Sequence, residues 1–174
     1  FGTEPNRFLA RRANLLQNGA TALSIADGEG RNSVWLAEQG LRVTAVEIAP
    51  VAIEKARRLA AGRGVEVNFL LADILASDWP PDESTGHFDW VVGIFIQFVN
   101  GAERERQFAV MKQLTRPGGR ILLQGYTPKQ LDYRTGGPSQ IENLYTARFL
   151  RQAFSGWQIE ELVGVKPVSF AYHC

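Results

Sequence analysis

The chain is poor in the residues that staple, ligate and titrate. Its 174 residues include one cysteine, one methionine and two histidines. A lone Cys174 excludes an internal disulfide, and it points to a reducing, cytoplasmic setting. Together with His87 and His173 it gives no cluster at zinc spacing, so no metal site is expected. No apolar run approaches the roughly 18 to 20 residues that span a bilayer, which argues against a membrane partner. An excess of one charge is also missing. Nineteen basic and eighteen acidic residues leave a formal charge of +1, and beyond Arg57 and Arg58 no basic patch is available to gather nucleic acid. The chain has no internal repeat and no low-complexity linker. It opens at Phe1 with no signal-peptide pattern, so the expectation is a single domain over residues 1–174, truncated at both ends. What remains is ordinary for a globular protein, 45% hydrophobic and 21% charged residues, in a length that buries one sizeable core.

Short β-rich runs alternate with helical patterns, the signature of a parallel sheet with crossover helices and so of a doubly wound α/β fold. The spacing predicts an amphipathic helix over 8–16 and a first strand over 21–26, then a helix capped by Asn32 or Ser33 and stopped at Gly40. A second strand follows over 42–47. Pro50 opens a helix to about residue 61, with Glu54 and Arg58 at i,i+4 and Gly62 as its stop. A third strand is expected over 65–71. After the polar stretch around Pro80, Pro81, Asp82 and Glu83, the continuous apolar run 88–96 reads as a strand buried on both faces at the sheet centre. Asn100 and Glu103 have the form of a capping box for a helix that buries Phe108, Met111 and Leu114 and ends at Pro117-Gly118-Gly119. A fifth strand over 120–126, a long connection over 127–143, a helix over 147–154 and a sixth strand over 157–163 follow. Residues 164–174 read as loop.

The most informative stretch is Ala22-Leu-Ser-Ile-Ala-Asp-Gly-Glu-Gly-Arg-Asn32, an apolar run that breaks into glycines and then opens a helix. Gly28 and Gly30 let the backbone turn sharply and lie against a ligand, and the helix start offers unpaired N–H groups. Two acids give this loop its meaning. Glu47 ends the second strand about twenty residues on, where its two oxygens can accept from both ribose hydroxyls. Asp73 ends the third strand in Leu71-Ala72-Asp73-Ile74, placed to accept from the exocyclic amine of an adenine. One acid marks a ribose, and the pair marks an adenosine.

On these residues the chain resembles the class I S-adenosylmethionine-dependent methyltransferases. Ala26-Asp27-Gly28-Glu29-Gly30-Arg31-Asn32 resembles their glycine motif, Glu47 their ribose acid and Leu71-Ala72-Asp73 their adenine motif. Phe88-Asp89-Trp90-Val91-Val92 resembles the fourth-strand motif, and Arg116-Pro117-Gly118-Gly119 the turn before strand five. Gly-x-Gly-Arg-Asn, the opening Gly2-Thr3-Glu4-Pro5-Asn6 and Tyr133-Arg134-Thr135-Gly136-Gly137-Pro138 look most like the small bacterial tellurite-resistance and thiopurine methyltransferase-like group. The resemblance implies S-adenosylmethionine as cofactor, held by Ala26, Asp27, Gly28, Gly30, Asn32, Glu47, Ile48, Asp73, Ile74 and Ile94. It implies a Rossmann-like sheet of order 3-2-1-4-5-7-6, whose antiparallel seventh strand is either missing here or supplied by residues 168–172. Two departures stand out, Ser24 where relatives carry an acid in the first strand and Ala26 where they carry the first glycine.

Methyl transfer from a sulfonium is an in-line displacement that needs alignment in a dry site more than a general base. The lack of an obvious catalytic acid or base therefore suits a small molecule with a soft nucleophile, a thiol or a selenium or tellurium species. Phe95, Gln97, Phe98, Tyr126 and Tyr133 are the expected acceptor-pocket residues, with His173 and Tyr126 as candidate catalytic groups. Other functions fit less well. A nicotinamide-dependent oxidoreductase calls for a third glycine or alanine where this chain has Ser33, and Tyr126 and Lys129 are one position too close for Tyr-x-x-x-Lys. A nucleic-acid amino-methyltransferase needs its Pro-Pro signature after strand four, whereas Pro80 and Pro81 precede it. A module that binds S-adenosylmethionine without catalysis remains the alternative function.

Overall fold

The computed structural model describes residues 2–80, 88–133, 136–164 and 168–173, with the backbone alone at 133, 164 and 168–173. Seven strands form one sheet: β1 (Thr21–Ile25), β2 (Arg42–Glu47), β3 (Asn68–Leu71), β4 (Phe88–Ile94), β5 (Thr115–Gly125), β6 (Gln158–Gly164) and β7 (Val168–His173). Their order is β3-β2-β1-β4-β5-β7-β6. The first five pair in parallel, and β7 runs antiparallel between β5 and β6. The expected strand order therefore holds, and the C-terminal segment supplies the seventh strand. Residues 168–173 are paired backbone and not loop, because without them the inner edge of β5 would be left with unmatched N–H and C=O groups.

The helices are α1 (Arg7–Ala10), α2 (Arg31–Glu38), α3 (Pro50–Arg63), α4 (Gly101–Leu114), α5 (Gln130–Tyr133) and α6 (Ala147–Ala153). Alternation along the strands splits the core into two layers. Leu23, Val91, Ile121 and Leu123 pack with Phe108 and Met111 of α4 and Leu150 of α6. Ala22, Trp90, Val92 and Leu122 pack with Leu36 of α2 and Phe8 and Leu9 of α1. β4 contributes to both layers, as an unbroken apolar run at the sheet centre should. No helix among the described residues is long and apolar enough to cross a membrane.

Several local expectations give way to tertiary bonds. The first helix is a single turn followed by a 3-10 turn at Ala13–Leu15. Gly30, left-handed at φ 89°, caps α2 in place of Asn32 or Ser33. The Asn32 carboxamide oxygen instead accepts the Asn6 N–H at 2.9 Å, and the Ser33 hydroxyl donates to Asp27. α3 runs through Gly62 and stops at the left-handed Gly64. The expected Glu54–Arg58 ion pair forms on its surface. Asn100 precedes α4 but its side chain makes no cap bond, because its amide donates to Asn143 Oδ1 at 3.1 Å. α4 ends at Leu114, before the Pro-Gly-Gly turn, and β3 begins three residues later than its apolar pattern suggested. Pro81, Asp82, Glu83, His87, Arg134, Thr135 and Cys174 lie outside the described residues.

Gly30 ties this architecture to the loop that follows β1. A Cβ placed there would stand 2.7 Å from the Ala56 Cβ and 2.9 Å from its Cα, both in α3. Gly30→Ala is expected to lower stability by about 2 kcal/mol, since it adds a left-handed alanine to a helix contact that cannot yield. Urea unfolding of the two proteins side by side checks this, and an unchanged midpoint would contradict it.

Candidate functional site

β1 and β4 are neighbours in the sheet, but the chain leaves them toward opposite faces, through α2 and through α4. Their diverging exits open a crevice at the carboxyl ends of the strands, the place where doubly wound folds take ligands. A cleft of two lobes lies there. One, of about 430 Å³, is lined by Val46, Glu47, Ile48, Ala72, Asp73, Ile74, Leu75 and Phe98. The other, of about 240 Å³, is lined by Gly2, Ser24, Ile25, Asp27, Gly28, Glu29, Arg31, Asn32 and Ile94. Ala26 and Phe95 line both.

These two residues are the first to follow β1 and β4, and both are left-handed, Ala26 at φ 48° and Phe95 at φ 59°. For residues with a Cβ this conformation carries a cost of about 1–2 kcal/mol, and the surrounding bonds must hold it. The Phe95 N–H donates to Gln124 O at 2.8 Å, and the Asp27 N–H to Val46 O at 3.1 Å. Ala26 thus occupies, with its methyl, a turn that a glycine would enter freely.

Glu47 holds the first lobe together. Its Oε2 accepts the Gly28 N–H at 2.8 Å, and its Oε1 accepts the N–H groups of Ile48 and Ala49, each at 3.0 Å. One carboxylate thereby joins the loop after β1 to the start of α3. Asp73 is exposed and accepts the Leu75 N–H at 2.9 Å. Ile48 and Phe98, 62% and 51% exposed, leave apolar surface in this lobe that the protein itself does not cover.

In the second lobe Asp27 is buried, with Oδ1 accepting the Ser24 hydroxyl at 2.6 Å and Oδ2 accepting the Ser33 hydroxyl. Burial pushes its carboxyl above the usual range, the serine bonds pull it back, and the Glu47 charge adds to the rise. Ser24 thus has a role that the sequence showed only as a departure. The acid absent from the first strand is present three residues later, and Ser24 is what orients it. Arg31, at the start of α2, also lines this lobe and was not expected.

The structure brings Ala26, Asp27, Gly28, Asn32 and Ile94 to one lobe and Glu47, Ile48, Asp73 and Ile74 to the other. Gly30 stands apart from the cleft, packed on Ala56. Of the expected acceptor residues, Phe98 lines the lobe of Glu47 and Asp73. Gln97 is buried, and its amide is used up by backbone: Nε2 donates to Tyr126 O at 2.9 Å and Asn143 O at 3.0 Å, while Oε1 accepts the Tyr126 N–H. It is a staple, with both amide hydrogens donated to backbone carbonyls. The Tyr126 ring stacks on Phe95 at 4.5 Å, and a Cβ on Gly137 would meet it at 2.8 Å, so the long connection closes over that ring. Tyr133 ends α5, and its side chain lies outside the described residues. His173 is misplaced by the sequence reading. It pairs in register with Arg120, which lies beside Trp90 near the start of β4 and so far from the carboxyl ends where the cleft lies, because β7 runs antiparallel.

Residues 22–119, more than half of the chain, match the family described as a methyltransferase domain. Among curated proteins the chain is 36% identical over 108 residues to demethylmenaquinone methyltransferase of Thermus thermophilus, a match covering 61% of this chain and 47% of that protein. It is 31% identical over 115 residues to the tuberculostearic acid methyltransferase of Mycobacterium tuberculosis, covering 64% and 25%. The chain therefore spans half or less of the length of these relatives. Among solved structures, TehB from Haemophilus influenzae superposes with a TM-score of 0.78 at 17% identity, over 97% of this chain and 62% of that one. The N-methyltransferase NodS from Bradyrhizobium japonicum, in complex with S-adenosylhomocysteine, gives 0.73 at 16% identity, over 95% and 83%. At these identities the likeness is one of fold.

The buried Asp27 gives the fold a pH dependence of known sign. Its carboxyl is raised in the folded state, so the protonated form favours folding, and that contribution is lost as pH climbs from the ordinary carboxylate range through the raised value. Asp27→Asn should therefore gain on the wild type as pH rises from about 4 to 7. Urea midpoints of both proteins at the two pH values test this, and a difference that stays constant or moves the other way would refute it.

Proposed function

Because the chain belongs to the methyltransferase domain family, we propose that it is an S-adenosylmethionine-dependent methyltransferase acting on a small-molecule acceptor. The observation that carries this reading is the two-lobed cleft at the switch point, with Glu47 and Asp73 in one lobe and the Asp27-Gly28 loop in the other. The residues fit the donor. Three N–H groups fill three of the roughly four acceptor positions on the Glu47 carboxylate, leaving one for a ribose hydroxyl where the sequence reading assigned two. Asp73 keeps acceptor capacity for the adenine amine, and Ile48 and Phe98 offer apolar surface to the base. The second lobe, with Gly28, Asn32 and Ile94, suits the amino-acid part.

When bound, S-adenosylmethionine supplies an already activated methyl group. The protein's share is to fix both parts of the donor and to exclude water beside Phe95 and Tyr126. Among the described residues no histidine, cysteine or lysine lines either lobe. A soft nucleophile, a thiol or a selenium or tellurium species, is the acceptor class we assign.

Calorimetric titration should show S-adenosylmethionine binding and none by NADH, and Glu47→Ala should weaken binding by about 2 kcal/mol, some thirtyfold. Binding of NADH alone would overturn the reading, and unchanged affinity in the variant would remove Glu47 from the site. Assayed by S-adenosylhomocysteine release, thiols, selenite or tellurite should be turned over in preference to small phenols. Turnover of phenols alone would refute the soft-nucleophile assignment.

A further inference from the structure

Ala26 and Phe95 are shared by the two lobes, so a ligand lying in both must pass beside them. In S-adenosylmethionine the atom that joins the adenosine to the amino acid is the sulfonium sulfur. It is also the one positive centre that disappears on methyl transfer, leaving a neutral thioether. Resting on the reading of the site given above, we infer that Phe95 is the recognition residue for that sulfonium, its ring holding the cation at the junction and favouring the charged donor over the neutral product.

Three observations support this. Phe95 is held in a left-handed conformation at φ 59° by its N–H bond to Gln124 O at 2.8 Å, which fixes where its side chain leaves the end of β4. Tyr126 stacks on its ring at a centroid distance of 4.5 Å and 25° between planes, which fixes the ring, and Phe95 borders both lobes. The four carboxylates that line the cleft each belong to one lobe, Asp27 and Glu29 to the second, Glu47 and Asp73 to the first, and none lines both. Asp27 takes two serine hydroxyls, Glu29 pairs with Lys55 and Glu47 takes three backbone N–H groups. An aromatic face is thus the electron-rich surface available where the cation must sit, and such contacts strengthen as the cation is desolvated.

The test compares donor and product on the same protein. S-adenosylmethionine and S-adenosylhomocysteine are titrated into the wild type, into Phe95→Leu, and into a series with mono-, di- and trifluorophenylalanine at position 95. Phe95→Leu should lose about tenfold in affinity for S-adenosylmethionine and little for S-adenosylhomocysteine. Successive fluorines, which drain the ring face without changing its packing, should weaken S-adenosylmethionine stepwise and leave S-adenosylhomocysteine constant. Parallel losses for both ligands, or a flat fluorine series, overturn the inference, and the series decides alone if Phe95→Leu does not fold. Absence of binding by the wild type would overturn the donor assignment itself, which keeps the two failures distinct.

Discussion

The Glu47 carboxylate is the contact on which the cleft depends. It sits at the end of β2 and gathers N–H groups from Gly28, nineteen positions back, and from Ile48 and Ala49 immediately ahead. Charge-assisted bonds of this kind are the stronger ones, and three on one carboxylate fix both loops against each other. The consequences run outward. Ala49 is the cap position of α3, so the clamp sets where that helix starts, and Ala56 of α3 then abuts Gly30 at the start of α2. Loop, α2 and α3 form one wall because a single side chain joins their ends. The same charge bears on Asp27, where it adds to the effect of burial, and the hydroxyls of Ser24 and Ser33 offset only part of the rise.

A second clamp works on the other side of the cleft and has no charge. The Gln97 amide bonds Tyr126 through both its N–H and its C=O and reaches Asn143 O as well. Gly125 lets it approach, since a Cβ there would stand 2.7 Å from the Gln97 Cδ and 2.6 Å from Tyr145. Glu47 thus joins the loops after β1 and β2, and Gln97 joins the loops after β4 and β5. Between them lie Ala26 and Phe95, the two left-handed residues with side chains among the described residues. Strain of this sort persists where neighbouring bonds over-determine the backbone, and here each strained residue lies beside one of the two clamps.

The scaffold was legible wherever the signal was local and periodic. The run from Phe88 reads as a central strand because it is apolar at every position, and β4 does feed both core layers. Glu47 and Asp73 were found because a strand followed by an acid is a short-range pattern, and both line the same lobe. Long-range bonds were the ones that escaped. Asn100 before α4 and Asn32 at the start of α2 look like caps in sequence, yet one bonds Asn143 and the other Asn6, partners that no window contains. Gln97 beside two aromatics reads as a pocket residue for the same reason. Residues 164–174 read as loop in their own pattern, and only the family resemblance offered 168–172 as a seventh strand; its antiparallel pairing with β5 carries His173 to the far edge of the sheet.

The two halves of the cleft are therefore built on different principles. The Glu47 half is preorganised by ionic bonds to backbone, which lowers the cost of ordering a ligand there and suits a group that never varies. Past Phe95, the wall comes from Tyr126 and the long connection, whose Gly137 backbone lies against the Tyr126 ring. Loop-built surfaces tolerate change in sequence, whereas the clamped half does not. Phe95, stacked on Tyr126 and bordering both lobes, is where the two constructions meet.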